Sequence, residues 1–158
     1  MKLFSIFALV KNIPKTSWSS KKPLNLRPKK KTLLFLIFGL FLFGLGETLL
    51  IASGGGVSPW TVLAEGISIY TSYSIGWCTL WISLSVLIFW IPLKQKPGIG
   101  TILNAIIIAI VLDVSLPYLP NPENYGFKVL QIIIGVLITG IGSGFYLIAN
   151  LGPGSRDG

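Results

Sequence analysis

The sequence predicts an all-α fold: a polytopic bundle of four transmembrane helices, forming the first part of an inverted three-helix repeat. Three observations predict it. Four apolar runs each approach the ~20 residues that a helix needs to cross the hydrocarbon core. Only 11% of the residues are charged, against about 25% in soluble domains. The charges are also one-sided. Nine of the thirteen Lys and Arg residues precede residue 32, so the net charge of +8 belongs to the amino-terminal tail.

The organisation in order is a basic, loosely ordered segment, 1–31, and a transmembrane domain, 32–158. Residues 3–10, LFSIFALV, form a short apolar run between Lys2 and Lys11. A signal peptide has a similar start, but no small-residue cleavage site follows. An interfacial segment is the better reading. Residues 11–31 mix Lys, Ser, Pro and Asn as a solvated linker does. A basic tail serves either nucleic acid or a membrane surface. Its position against a long apolar run favours the bilayer, and no nucleic-acid partner is expected.

The first span is 32–52. Gly39 and Gly46 lie seven residues apart, on one helical face, and admit a close neighbour. Residues 53–73 connect, and Pro59 to Tyr70 read as a short amphipathic helix with Trp60 and Tyr70 at interface depth. The second span, 74–93, carries Trp77, Trp81 and Trp90 and ends at Pro92 before a basic turn, Lys94 to Gly98. The third, 99–119, holds Asn104 and Asp113 and stops at Pro117 and Pro120. The fourth, 127–149, contains Gly140 and Gly144, a GxxxG pair that permits close helix contact. Basic residues favour the cytoplasmic side. That rule puts the amino terminus, Lys94, Lys96 and Arg156 on the cytoplasmic side of the membrane.

The chain has no histidine and a single cysteine, Cys78. Ser-His-Asp and Cys-His catalysis and His-based metal sites are thereby excluded. No paired-acid motif for an enzyme is present, and no GxxxxGK[ST] follows the glycines for a nucleotide. The expectation is a non-enzyme without cofactor or metal.

The stretch around which the chain is organised is 44–63, GLGETLLIASGGGVSPWTVL. It joins a lone acid, Glu47, to three consecutive glycines, Gly54, Gly55 and Gly56, and then to Ser58-Pro59-Trp60. In membrane proteins such a break marks a helix end facing a cavity. The glycines read either as a backbone nest for an anion or as a flexible turn. Glu47 lies about 15 residues into its span, and Asp113 about 14 into a span running the same way, so both reach roughly 22 Å at 1.5 Å per residue. A charge in hydrocarbon costs at least about 2.5 kcal/mol. The two acids are therefore expected to face the bundle interior as a proton- or cation-responsive site. The bland alternative has each hydrated or bonded to a helix end. Asn104 is interhelical glue or a third polar ligand.

A shift of 96 residues lays Gly140-Ile141-Gly142 over Gly44-Leu45-Gly46, and Gly152 over Gly56. Both copies end in a Gly/Pro break, the second being Gly152-Pro153-Gly154. The copies start at the first and fourth spans, so the unit is three helices, and an odd unit inverts on repeating. Arg156 and Asp157 then read as a gate at the second break or as ordinary loop charges. The expectation is a shortened form of a protein of about six spans, or a chain completed by another chain or by a homo-oligomer.

GGGVSPWTVL, WIPLKQKPGIGT, LNAIIIAIVLD and GSGFYLIANLGPGSRDG resemble the YitT/YczE-type bacterial multi-spanning membrane proteins, from about Leu34 to the end. Two departures stand out. Thr61 occupies a position where members often carry an acid, and the helices that usually follow the Arg-Asp-Gly are not part of this sequence. The resemblance implies a multi-pass membrane protein, loosely called a permease. The expected function is movement of a small solute or ion, and the rival is a non-transporting scaffold or accessory of an enzyme complex.

Overall fold

The computed structural model describes residues 16–152. The apolar run 3–10 and Pro153, Gly154, Arg156 and Asp157 lie outside the described residues. The elements are α1 (Lys30–Ser53), α2 (Pro59–Thr71), α3 (Ile75–Trp90), α4 (Ile99–Ser115), a 3₁₀ turn (Leu116–Tyr118) and α5 (Tyr125–Ala149). Among the described residues there is no strand.

Local chemistry sets the boundaries. α1 stops at Gly54, whose φ of 59° is left-handed and whose N–H closes on the Ile51 carbonyl at 3.0 Å. Ser58 caps α2 with Pro59 in its first turn, and Ser74 caps α3. α4 begins after Pro97-Gly98 and tightens into the 3₁₀ turn at Pro117. Asn124 caps α5 by accepting from the Gly126 N–H at 2.8 Å.

The expected second span is where structure and sequence differ. α1, α4 with its 3₁₀ turn, and α5 are each long and apolar enough to cross a membrane. α3 has 16 residues, about 24 Å at 1.5 Å per residue, which is short of a ~30 Å core. It joins α2 at a bend of 115°, and the fourth crossing exists only if this bent pair counts as one broken span. At the bend Ser72, with φ 58°, ends α2, and the Ser74 cap restarts the chain in a new direction.

The helices pack in a row. α1 contacts α5 on one side and α4 on the other, α4 contacts α3, and α3 contacts α2. Leu36, Leu40, Ile108, Leu112 and Tyr146 form the main core between α1, α4 and α5. A smaller core of Ala64, Cys78 and Ile82 fills the bend between α2 and α3. The outward faces stay apolar, with Leu34, Phe38 and Phe41 on α1, Ile88 and Phe89 on α3, and Val136 and Leu137 on α5 all exposed. Such a surface suits lipid and not water.

α1 and α5 run antiparallel at backbone contact. A Cβ on Gly39 would lie 2.9 Å from the Gly142 carbonyl oxygen, and one on Gly46 would lie 2.7 Å from that of Gly135. The expected close neighbour of Gly39 and Gly46 is therefore α5. The expected role of the Gly140/Gly144 pair is corrected. Nothing lies within 4 Å of a Cβ at either position. The helix turns Gly135 and Gly142 toward α1 instead, because that pair matches the seven-residue spacing of the partner glycines.

Side-chain ties fix which ends meet. Gln131 Nε2 donates to the carbonyls of Leu49 and Pro120, at 3.1 and 3.2 Å. The ends of α1 and α4 thus lie beside the start of α5. At the opposite end the Gly100 N–H donates to the Leu151 carbonyl at 2.8 Å, and the Ser20 N–H to that of Ala149 at 3.0 Å. Residues 16–29, read above as a solvated linker, form no regular element but are anchored there. The Trp18 ring stacks on Phe35 at 4.6 Å, and Asn150 Nδ2 donates to the Ser20 carbonyl at 2.9 Å. This end carries Lys29, Lys30, Lys31, Lys94 and Lys96, and is called the basic end below.

Candidate functional site

Both carboxylates singled out in the spans bind the start of a helix of the bent pair. Glu47, on α1, is 4% exposed. Its Oε2 accepts from Thr61 Oγ1 at 2.7 Å and from Ser58 Oγ at 3.4 Å. Ser58 Oγ is also the cap that accepts from the Thr61 N–H at 3.3 Å, so the acid, the cap and the first turn of α2 form one network. Asp113, on α4, does the same for α3. Its Oδ2 accepts from Ser74 Oγ at 2.6 Å and its Oδ1 from the Gly76 N–H at 2.8 Å. A side chain on Gly76 would collide with the Asp113 carboxylate and the Ala109 carbonyl. The glycine is there because α4 and its acid approach so closely.

The register between α1 and α4 agrees with the depth estimate. Gly44 meets Val111 and Ile108, and the two helices run parallel, so Glu47 and Asp113 sit at one level. They nevertheless hold separate partners, one on α2 and one on α3. Each carboxylate is accordingly bonded to the start of a helix. An open cavity of about 420 Å³ between α3 and α4 has Asp113 in its wall among Trp77, Leu80, Ile106 and Ile110.

Other expected site residues lie elsewhere. Asn104 is buried in α4, nine residues from Asp113 and hence about 13 Å away along the helix. The N–H groups of Gly54 and Gly55 are bonded within the turn, to the Ile51 carbonyl and to Ser53 Oγ at 3.2 Å. Two of the three donors that a nest would aim at an anion are thus engaged. Gly56 has φ 137°. Gly152, at φ 109°, lies against Gly98 and Thr101 at the basic end. Gly54 to Gly56 and Gly152 therefore lie at opposite ends of the row.

Thr61, Ser74 and Gly76 belong to this arrangement, although the sequence reading gave them no such role. Their signal was available: Ser58 and Ser74 each stand just before an apolar helical run, as N-caps do. Thr61 also acquires a physical meaning, because its hydroxyl donates to Glu47. An acid in its place would set two carboxylates face to face.

Residues 30–158 match the model of a family of unknown function, DUF6198. The chain belongs to that family. A relative from Haemophilus influenzae, described as an uncharacterized protein, is 40% identical over 149 residues, covering 94% of this chain and 67% of the relative. The uncharacterized membrane protein YczE of Bacillus subtilis is 29% identical over 125 residues, covering 78% of this chain and 58% of YczE. The YczE-type resemblance read from the motifs thus stands, and this DUF6198 member is a membrane protein with several apolar helices. No solved structure matches the chain.

Proposed function

We propose that this protein moves a small solute or ion across the bacterial plasma membrane, with the basic end in the cytoplasm and Glu47 and Asp113 as proton-responsive groups. The observation that carries the reading is the pair of carboxylates at one membrane depth, each holding the start of one helix of a broken pair. Discontinuous helices whose amino-terminal ends face an anionic group are a recurring transporter device. An ionised carboxylate accepts from two donors at once, and on protonation it becomes a donor itself. Protonation of Glu47 would weaken its hold on Ser58 and Thr61, and protonation of Asp113 its hold on Ser74 and Gly76. Either event loosens a joint already bent by 115°.

The α1–α5 contact supports an inverted repeat. A shift of 96 residues carries Gly39 onto Gly135 and Gly46 onto Gly142, so it exchanges the two backbone contacts, as a two-fold axis in the membrane plane would. The same shift carries Gly54 onto Asn150, both left-handed helix ends at φ 59° and 53°, and Gly56 onto Gly152.

The rival is a non-transporting membrane scaffold or accessory to an enzyme complex, favoured by the fact that both acids bond helix ends. Proteoliposomes under a pH gradient separate the two. In the transporter, Glu47→Gln and Asp113→Asn abolish solute-dependent proton movement. In the scaffold there is no such movement in the unaltered protein. We further hold that the chain catalyses no covalent reaction and that its tail binds no nucleic acid.

A further inference from the structure

The basic segment ahead of α1 encloses a cavity that the transport reading leaves unused. Its volume is about 500 Å³, within the ~300–1,000 Å³ range of small-molecule sites. Thr16, Ser17, Ser19, Lys21, Arg27 and Lys29 line it, and among the described residues no acidic side chain does. Three cations and several hydroxyls around one concavity suit a phosphate group, which offers several acceptor oxygens and a negative charge.

The wall is built rather than loose. Ser20 is buried and fastened to Ala149 and Asn150 at the end of α5. Thr32 Oγ1 donates to the Trp18 carbonyl, and Trp18 stacks on Phe35. Asn25 Oδ1 accepts from the Arg27 N–H at 3.0 Å, and Ser19 Oγ accepts from the Thr16 N–H at 3.0 Å. These contacts hold the cations where the first turn of α1 leaves the hydrocarbon. Leu24 and Leu26, which precede and follow the lining residue Asn25 in the chain, are exposed. Beside a span they suit acyl chains better than water, which favours a lipid over a free anion.

We propose that this cavity binds the phosphate of an anionic phospholipid headgroup, with Arg27 and Lys29 as its principal contacts. The site seats the protein against the acidic leaflet, and it stands whether or not the chain transports. The test titrates the purified full-length protein in a nonionic detergent with short-chain phosphatidylglycerol, with short-chain phosphatidylcholine and with inorganic phosphate, read by native mass spectrometry and calorimetry. Phosphatidylglycerol should bind one to one and phosphatidylcholine much more weakly. Arg27→Ala/Lys29→Ala should weaken phosphatidylglycerol binding at least about tenfold. Lys94→Ala/Lys96→Ala removes the same charge from the same end and should change it by less than about twofold. Ser17→Asp, at an exposed rim position, should weaken binding while leaving every cation in place. Equal losses in the two double variants would overturn the site in favour of diffuse attraction, as would absence of binding in the unaltered protein. Inorganic phosphate binding as tightly as phosphatidylglycerol would overturn the lipid assignment.

Discussion

The α1–α5 pair and the α2–α3 bend are built on opposite principles. The first is joined by glycines at 39, 46, 135 and 142, with backbone against backbone along two long helices. The second has short helices, two serine caps and two acids reaching in from α1 and α4. Dispersion over a long contact changes little with pH and tolerates no added volume. A joint held by a few hydrogen bonds gives way locally. The difference teaches that this fold has a stiff frame, α1 with α5, and a hinge held by hydrogen bonds to two carboxylates.

The sharpest way to break that comparison is to add volume to the frame. Gly46→Leu should cost about 3 kcal/mol or more and abolish the monodisperse peak in size-exclusion chromatography. Gly140→Leu, on the same helix family but facing open space, should stay within about 0.5 kcal/mol of the parent. Equal tolerance of both would show that the glycine contact is not what holds the helices together.

At the hinge the effects are smaller. Glu47→Ala leaves the Thr61 and Ser58 hydroxyls without their charged acceptor and should lower stability by about 1.5–3 kcal/mol in denaturant titration. Asp113→Ala should cost about 1–2 kcal/mol, because Asp113 is only half-buried and its partner Ser74 is exposed. Ser74→Ala, which removes only the α3 cap, should cost about 1 kcal/mol. If the acids outrank Gly46→Leu, frame and hinge have been assigned the wrong way round.

What could be read from the chain follows from which forces act locally. Span positions rest on runs of apolar residues, and α1, α4 and α5 lie where those runs are. The seven-residue spacing of Gly39 and Gly46 fixed a shared face, so the close contact was legible although its partner was not. GxxxG at Gly140 pointed the other way, since a spacing says that two residues share a face but not which face is covered. The bend at Ser72 to Ser74 was illegible because it depends on where α4 delivers Asp113, a relation across 39 residues of sequence for the Ser74 bond. The depth of the two acids could be counted along the helices, but their separate partners could not. The hydroxyls of Ser58 and Thr61 face Glu47 only once α2 folds back.

The most direct measurement is a double-mutant cycle between Glu47→Gln and Thr61→Val, followed by reversible unfolding in mixed detergent. If α1 holds the start of α2 through this bond, the two substitutions should couple by about 1 kcal/mol or more. Losses that add to within about 0.3 kcal/mol would mean that Glu47 does not hold the hinge, and would contradict the account.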